Sequence, residues 1–195
     1  MKRISALSLS LLISTVLPSG AAEYHVDKEA DNLVKFISKA PLEEFEGVTD
    51  RIDGYVLWFG PDSLEKSEVY LEVELGDLDT GIGLRNRHMR DNYLETDKYP
   101  YAQYSGKCID IQREQPAGVH IVTCEGTMKI HGVENPLQIQ GQVEEVDNGI
   151  RVATEFSVEL PDYDIAVPKV MFLKISETIR LDIRFTVKQI TGETP

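Results

Sequence analysis

Hydrophobic and polar residues alternate along most of this chain. The alternation is clearest near the end, where every second residue from Ile179 to Val187 is aliphatic or aromatic. A period of two places successive side chains on opposite faces of a β-strand, so one face lies in a core and the other in water. With residues 178–188, the same pattern predicts strands over 32–40, 54–59, 68–75, 101–111, 119–130, 137–146 and 150–160, about eight in all.

The segments between these strands are short and rich in turn-forming residues, as at 60–62, 115–118, 132–136 and 147–149. Short connections favour antiparallel neighbours. Strands with one apolar face must stack as two sheets or close into a barrel, and closure removes the edges that invite aggregation. We therefore expect an all-β, antiparallel, eight-stranded barrel. Its interior is either filled by side chains or wide enough for one small ligand.

Residues 79–100 break this pattern with a basic segment. Four basic side chains occur within six positions: Arg85, Arg87, His88 and Arg90. A helix is predicted here because Asp79 offers an N-cap. Ile82, Met89 and Tyr93 fall on one apolar stripe at helical spacing. One short helix is therefore expected to lie on an apolar surface at one end of the barrel.

Two interpretations of the basic residues remain open. In the first, they are solvated, with Arg87 in an exposed i,i+4 ion pair. In the second, Arg85, His88 or Arg90 contacts the polar head group of a ligand.

The first residues have the layout of a secretory signal peptide. Lys2 and Arg3 precede an uncharged run over residues 4–22 that ends in small residues. A transmembrane anchor is the alternative, but the run contains five Ser and one Thr and is too polar for a stable span. We expect residues 1–22 to be a cleaved signal peptide, residues 23–195 to be the barrel domain, and the protein to be periplasmic or extracellular.

The chain is strongly acidic, with 20 Lys and Arg against 33 Asp and Glu in 195 residues and a formal net charge of -13. Such a charge disfavours nucleic acid and anionic membrane surfaces as partners. It does not disfavour an uncharged lipid, whose transfer depends on an apolar cavity. A single domain of this length buries about 70% of its unfolded surface, so its core needs no disulfide framework.

Five large side chains fall on the inward phase of the alternation: Phe36, Trp58, Tyr104, Met128 and Phe156. One interpretation is that they fill a solid hydrophobic core. The other is that they line a curved apolar channel that holds a ligand. The sequence leaves both open because it does not give the interior volume.

The two cysteines, Cys108 and Cys124, lie eight residues on either side of Pro116. A hairpin centred on that turn places them directly opposite each other on one face. They form either a disulfide or two buried thiols. Two cysteines at this separation and four scattered histidines offer no ligand cluster, so we expect no metal ion and no other cofactor.

Sequence motifs for catalysis are missing. The chain has no Gly-x-Ser-x-Gly elbow, no phosphate-binding glycine loop and no His-Glu metal motif. We therefore expect no enzyme activity. A hydrolase that uses His88 with Asp91 is the weaker alternative, because a helical histidine beside a carboxylate is usually just solvated.

Several blocks resemble, in order and spacing, the YceI family of exported bacterial proteins. They are residues 24–27 (Tyr-His-Val-Asp), 53–58 (Asp-Gly-Tyr-Val-Leu-Trp), 79–81 (Asp-Thr-Gly), 85–90 (Arg-Asn-Arg-His-Met-Arg), 98–100 (Lys-Tyr-Pro) and 126–133 (Gly-Thr-Met-Lys-Ile-His-Gly-Val). The chain departs from the family at residues 160–164, where many members carry Arg-Ser-Asp-Phe-Gly, and at Asp77, where serine is usual. An arginine contact at the first of these places is therefore not carried over.

The resemblance implies a lipocalin-like barrel whose apolar interior holds a long tail, such as a polyisoprenoid, a quinone or a fatty-acid derivative, with the helix as a lid. It also implies a homodimer, which is frequent among YceI-like proteins. We expect a non-catalytic binding protein that places the head group of its amphiphilic ligand near Arg85, His88 or Arg90. The alternative is an interaction module with a solid barrel whose acidic face or helix binds a protein.

Overall fold

A computed structural model describes residues 21–39, 44–113, 118–147, 149–170 and 173–190. Residues 1–20, nearly all of the predicted signal peptide, lie outside the described residues. The strands in these ranges are β1 (Ala22–Val26), β2 (Leu33–Lys39), β3 (Glu44–Thr49), β4 (Ile52–Trp58), β5 (Glu68–Glu74), β6 (Tyr101–Arg113), β7 (Val119–Ile130), β8 (Val133–Val146), β9 (Gly149–Glu159), β10 (Lys169–Val170), β11 (Leu173–Lys174) and β12 (Thr178–Gln189). The helical elements are α1 (Gly83–His88), a π-helical turn (Met89–Leu94) and 3-10 turns at Pro61–Lys66 and Leu160–Tyr163. No helix in the described ranges is long and apolar enough to cross a bilayer.

The main sheet closes into a barrel. Its strands follow the order β1-β4-β5-β6-β7-β8-β9-β12, every neighbouring pair is antiparallel, and β12 pairs with β1 to complete the circuit. The hairpin of β2 and β3 pairs with the first half of β12 and extends the wall beyond β1. The predicted antiparallel, eight-stranded barrel with one short helix is confirmed.

The alternation does not predict β3, because its inward positions are Phe45, Gly47 and Thr49 and only the first is large and apolar. Its place in the barrel explains the glycine. Gly47 lies opposite Phe36 of β2, and a Cβ at Gly47 would come within 2.2 Å of the Phe36 ring. The missing side chain therefore makes room for the aromatic ring on the inner face.

The turn between β7 and β8 is shorter than predicted. It consists of His131 and Gly132, whose φ angles of 52° and 80° suit a two-residue hairpin turn that follows the twist of the strands. Pro136, predicted as part of the connection, lies within β8 opposite Thr127 of β7. Proline is tolerated there because β9 pairs with β8 only from Gly141 onward, so Pro136 occupies an edge position.

The barrel has two distinct ends. β5 leads into α1 and β6 returns from it, and Lys129 near the end of β7 pairs with Gln103 near the start of β6. We call this the α1 end. The opposite end contains Trp58 at the close of β4 and Val119 at the start of β7. Chain direction thus brings α1, the β7–β8 turn and the Leu160–Tyr163 turn to the same end of the barrel.

Candidate ligand-binding cavity

The barrel encloses a cavity of about 1450 Å³. Each barrel strand contributes apolar lining residues, which include Tyr24, Val56, Leu71, Ala102, Val122, Ile139, Val152 and Ile183. The interior is therefore a channel with an apolar wall and is not filled by its own side chains. Its few charged lining residues are Arg85, Glu145 and Lys188, which lie near the two ends.

All five of the predicted inward residues line this cavity. Tyr104 of β6 lies directly opposite Met128 of β7, and they are 6% and 7% exposed. Phe36, Trp58 and Phe156 are half-buried, because part of each ring borders the open interior. That these side chains contact a ligand stays a prediction.

The mouth of the cavity lies at the α1 end. There, Asp79, Thr80 and Asn86 form a network of hydrogen bonds, which we call the polar knot. Asp79 pairs with Val48 of β3 through two backbone hydrogen bonds of 2.9 Å. The Asn86 side chain donates to Asp79 Oδ1 at 2.7 Å and accepts from the Thr80 backbone N–H at 2.9 Å. The hydrogen bond from Asn86 lowers the pKa of Asp79 below its ordinary value.

These contacts overturn the predicted N-cap at Asp79. The helix begins at Gly83, and the residue before it is Ile82, which makes no side-chain cap. Asp79 is held extended by its pairing with β3, so its carboxylate accepts from the Gly81 N–H at 2.8 Å in a tight turn. A tertiary contact has therefore replaced the local cap that the sequence favours.

Arg85 spans the mouth. Its Nε donates to Thr80 Oγ1 at 2.9 Å and its Nη2 donates to the Thr80 carbonyl at 2.8 Å. The same guanidinium group lies over the Phe45 ring of β3, 4.6 Å from the ring centre. Arg85, His88 and Met89 all line the cavity, so three of the four predicted lid residues are brought together at one opening.

Arg90 does not lie among the lining residues. Its Nη1 is 3.5 Å from the Gly76 carbonyl, to which it donates. The helical segment turns away at this point because the α-helix ends at His88 and continues as a π-helical turn. The wider turn changes the direction of the Arg90 side chain relative to ideal helical spacing.

The predicted apolar stripe is only partly seated on the barrel. Met89 and Tyr93 line the cavity and are half-buried. Ile82 also lines it but remains 52% exposed. Leu84, which the stripe omits, lines the cavity and is 62% exposed. Ile82 and Leu84 therefore form the apolar rim of the mouth and do not pack beneath the helix.

His131 ties three segments of the α1 end together. Its Nδ1 is 3.1 Å from the Tyr163 carbonyl, and its Nε2 is 3.1 Å from Glu95 Oε2. Each ring nitrogen therefore faces an oxygen that can accept a hydrogen bond. The hydrogen bond from Lys98 lowers the pKa of Glu95, and the hydrogen bond with His131 has a smaller effect in the same direction. The Tyr99 ring completes the cluster with an edge-to-face contact to His131, with the two ring centres 4.6 Å apart.

Two polar side-chain atoms in the described ranges are buried without a hydrogen-bond partner, Ser38 Oγ and His120 Nδ1. Both residues line the cavity. Thr154 also lines it, but its hydroxyl donates to the Gln140 carbonyl at 2.8 Å. The sequence interpretation missed Ser38 and His120, although both fall on the inward phase of their strands, which is the signal that identifies them.

Cys108 and Cys124 lie directly opposite each other on β6 and β7, as predicted from the position of the turn. Both line the cavity. They are present as free thiols whose Sγ atoms are 2.9 Å apart. The hydrogen bond between them lowers the pKa of Cys108 and, together with burial, raises the pKa of Cys124. Of the two alternatives that the sequence leaves open, the disulfide stays a prediction.

Comparisons with known proteins agree with this architecture. The model of the YceI-like domain family matches residues 24–187. A UPF0312 protein from Pseudomonas savastanoi pv. phaseolicola is 27% identical over 193 residues, which cover 94% of this chain and 95% of that protein.

Solved structures with low sequence identity share the fold. BcnA from Burkholderia cenocepacia gives a TM-score of 0.66 at 15% identity, over 83% of this chain and 98% of that one. A polyisoprenoid binding domain from Saccharophagus degradans, implicated in plant cell wall breakdown, gives 0.64 at 20% identity, over 87% and 98%. Because the family match extends over nearly all of the barrel, this chain belongs to the YceI-like domain family.

Proposed function

We propose that this protein is a non-catalytic binding protein that encloses the long apolar chain of a polyisoprenoid, a quinone or a fatty-acid derivative. The observation that carries the proposal is the cavity of about 1450 Å³ with its aliphatic and aromatic wall. Most sites for drug-sized molecules have volumes of about 300–1,000 Å³. The larger volume favours an extended ligand over a compact one.

The dimensions of the barrel suit a chain-like ligand. β7 contains 12 residues, which at about 3.3 Å per residue and a tilt of about 40° extend roughly 30 Å along the barrel axis. Each buried methylene group contributes about 0.8 kcal/mol. Roughly ten of them contribute about 8 kcal/mol before the cost of ordering the chain is subtracted. Tail burial is therefore sufficient for useful affinity with few polar contacts.

The mouth supplies the proposed head-group contacts. His88 is exposed at the rim, and Arg85 reaches the same opening from α1. A basic rim suits a head group that is anionic or accepts hydrogen bonds. The Saccharophagus degradans domain, which shares the fold, is described as a polyisoprenoid binding domain. This description supports a molecule with an apolar chain as the ligand class. Export by the predicted signal peptide and assembly as a homodimer complete the proposal.

Identification of the co-purified ligand is the first test. Native mass spectrometry of protein from its own host, followed by organic extraction, is expected to find an amphiphile with a long apolar chain. A protein that carries no lipid and takes up neither quinone nor fatty-acid probes would overturn the proposal.

A variant that blocks the cavity is the second test. Gly141 lies on the inner face, where an added Cβ meets Ala153 O at 3.5 Å and the Thr154 Cβ at 3.7 Å. These are ordinary contacts, so Gly141→Trp fits the wall and extends its ring into the channel. We expect binding of a fluorescent fatty acid to weaken by at least about tenfold, or 1.4 kcal/mol. Gln140→Trp, on the exposed face of the same strand, is the matched control and should bind normally.

A further inference from the structure

We propose that Cys108 and Cys124 form a redox site in the cavity wall that reduces apolar-chain hydroperoxides bound in the channel. The inference rests on the proposed function, because it requires a long-chain molecule to enter the barrel. It adds a reaction to binding, and one equivalent of hydroperoxide is reduced per chain in a single turnover.

The geometry of the two thiols supports the reaction. They lie directly opposite on neighbouring strands, with their Sγ atoms 2.9 Å apart. Cys108 is 4% exposed, and both residues line the channel. An oxidant therefore reaches the pair through the cavity, and an oxidant with an apolar chain is concentrated there.

The position of the pair along the wall selects the kind of oxidant. Cys124 lies five residues from the first residue of β7, Val119, and six residues from the last, Ile130. The thiols therefore face the middle of an enclosed chain and not its head group at the α1 end. A hydroperoxide borne within a fatty-acid chain places its O–O bond at this depth.

The wall beside the thiols is closed toward the α1 end. The next inward positions there are Gly106 and Gly126, which pair with each other but do not line the channel. The Tyr104 hydroxyl projects over Gly106, 2.9 Å from the place of a Cβ. This hydroxyl donates to the Leu137 carbonyl at 3.3 Å, so Tyr104 covers this part of the wall and the hydroperoxide reaches the thiols from the channel itself.

The chemistry balances without another reagent. The Cys108 thiolate attacks the terminal oxygen of the hydroperoxide, the O–O bond breaks, and the alkoxide takes the proton that the thiol has lost. This step gives a sulfenic acid and a lipid alcohol. The Cys124 thiol then attacks the sulfenic sulfur, and an S–S bond forms as water leaves. We assign the first attack to Cys108, which is buried in the wall with its Sγ 2.9 Å from the resolving thiol, and the hydrogen bond that joins the two thiols lowers the pKa of Cys108.

The test compares oxidants on the reduced, full-length protein in the presence of a metal chelator. Linoleic acid hydroperoxide is expected to remove both thiols and yield one equivalent of the alcohol. Because binding places the oxidant beside the thiols, the reaction should be at least about tenfold faster than with hydrogen peroxide at equal concentration. Unoxidised linoleic acid should compete and slow it.

Single variants separate the roles of the two thiols. Cys124→Ala should still reduce the hydroperoxide, but more slowly than the wild type, because Cys108 loses the hydrogen bond that lowers its pKa. It should leave a sulfenic acid at Cys108 that dimedone traps, whereas Cys108→Ala should yield no alcohol. The inference would be overturned by equal rates of thiol loss with the two oxidants, or by equal alcohol yields from the two variants. It would also be overturned if the two cysteines could not be reduced to thiols and did not react with the hydroperoxide.

Binding distinguishes failure of this inference from failure of the proposed function. Unoxidised linoleic acid is the probe for binding, and the reduced wild-type protein should bind it. If the wild type binds the fatty acid but its thiols do not react, the redox site alone is wrong. If the wild type does not bind the fatty acid, the proposed function fails as well.

Discussion

The guanidinium group of Arg85 lies 4.6 Å from the centre of the Phe45 ring. This contact joins α1 to β3 across the cavity mouth, and the two hydrogen bonds from Arg85 to Thr80 fix the side chain in place. Arg85 is thus part of the rim that holds the opening together, as well as a candidate for head-group contact.

Arg85→Ala should speed ligand release. A cation–π contact at an exposed site contributes about 0.5–1 kcal/mol, so we expect the dissociation rate of a fluorescent fatty acid to rise about two- to fivefold. Arg87→Ala is the control, since Arg87 is an exposed basic residue of the same helix that does not line the cavity. Stopped-flow displacement measures both rates, and equal rates for the two variants would contradict this role of Arg85.

Ser38→Ala should stabilise the ligand-free protein. The Ser38 hydroxyl is buried with no hydrogen-bond partner, and such a group costs about 1–3 kcal/mol. Thr154→Val makes a matched comparison, because it removes a hydroxyl that does donate a hydrogen bond and should lower stability by about 0.5–1.5 kcal/mol. Urea unfolding gives both free energies. A loss of stability in Ser38→Ala would show that its hydroxyl has a partner.

The interaction of Glu95 with Lys98 and His131 should make stability depend on acid pH. The pKa of Glu95 is lowered from an ordinary value of about 4.5. Its contribution is therefore present above that value and is lost as pH falls through the folded pKa. Between about pH 6 and pH 3, the wild type should lose more unfolding free energy than Glu95→Gln.

Asp97→Asn, which changes an exposed carboxyl two residues further along, provides the control for that pH series. It should retain the acid dependence of the wild type. If Glu95→Gln follows the wild-type profile throughout, the contacts of Glu95 with Lys98 and His131 do not contribute to folding.

Asn86→Ala should loosen the polar knot at the start of the lid. The variant removes the side-chain bonds to Asp79 and Thr80, so amide hydrogen exchange should accelerate over residues 80–90. The pKa of Asp79, which Asn86 holds below 3.8, should rise toward that value in an NMR titration. Asn92→Ala, at an exposed position of the following turn, should change neither quantity.

The strands of the barrel were largely predictable because a period of two is a property of local backbone geometry. Phe36 and Tyr104 could be placed on the inner face from that period alone. The opposition of Cys108 and Cys124 was predicted from a turn centred on Pro116, but it also depends on a β-bulge, because the register shifts by one residue between Cys108 and Asp110. Such relationships involve residues close in sequence or on neighbouring strands.

The lid was less predictable because its conformation depends on contacts with distant strands. Asp79 pairs with Val48 of β3, and this pairing moves the start of α1 to Gly83. Ideal helical spacing counted from Asp79 therefore does not give the correct side-chain directions. Arg90 consequently lies away from the cavity, and Leu84 takes a place at its rim. Propensity alone does not report a competing tertiary hydrogen bond.

By itself, the sequence determined which residues of each strand face inward and which face outward. It also determined the antiparallel barrel and the family to which the chain belongs. Tertiary structure decided whether the barrel was solid or open, and which side chains meet at its mouth. The reason is physical: inward or outward direction is fixed residue by residue, but cavity volume depends on how all the strands close and on how their side chains pack together. The contact between Arg85 and Phe45 likewise exists only after closure brings α1 and β3 to the same end.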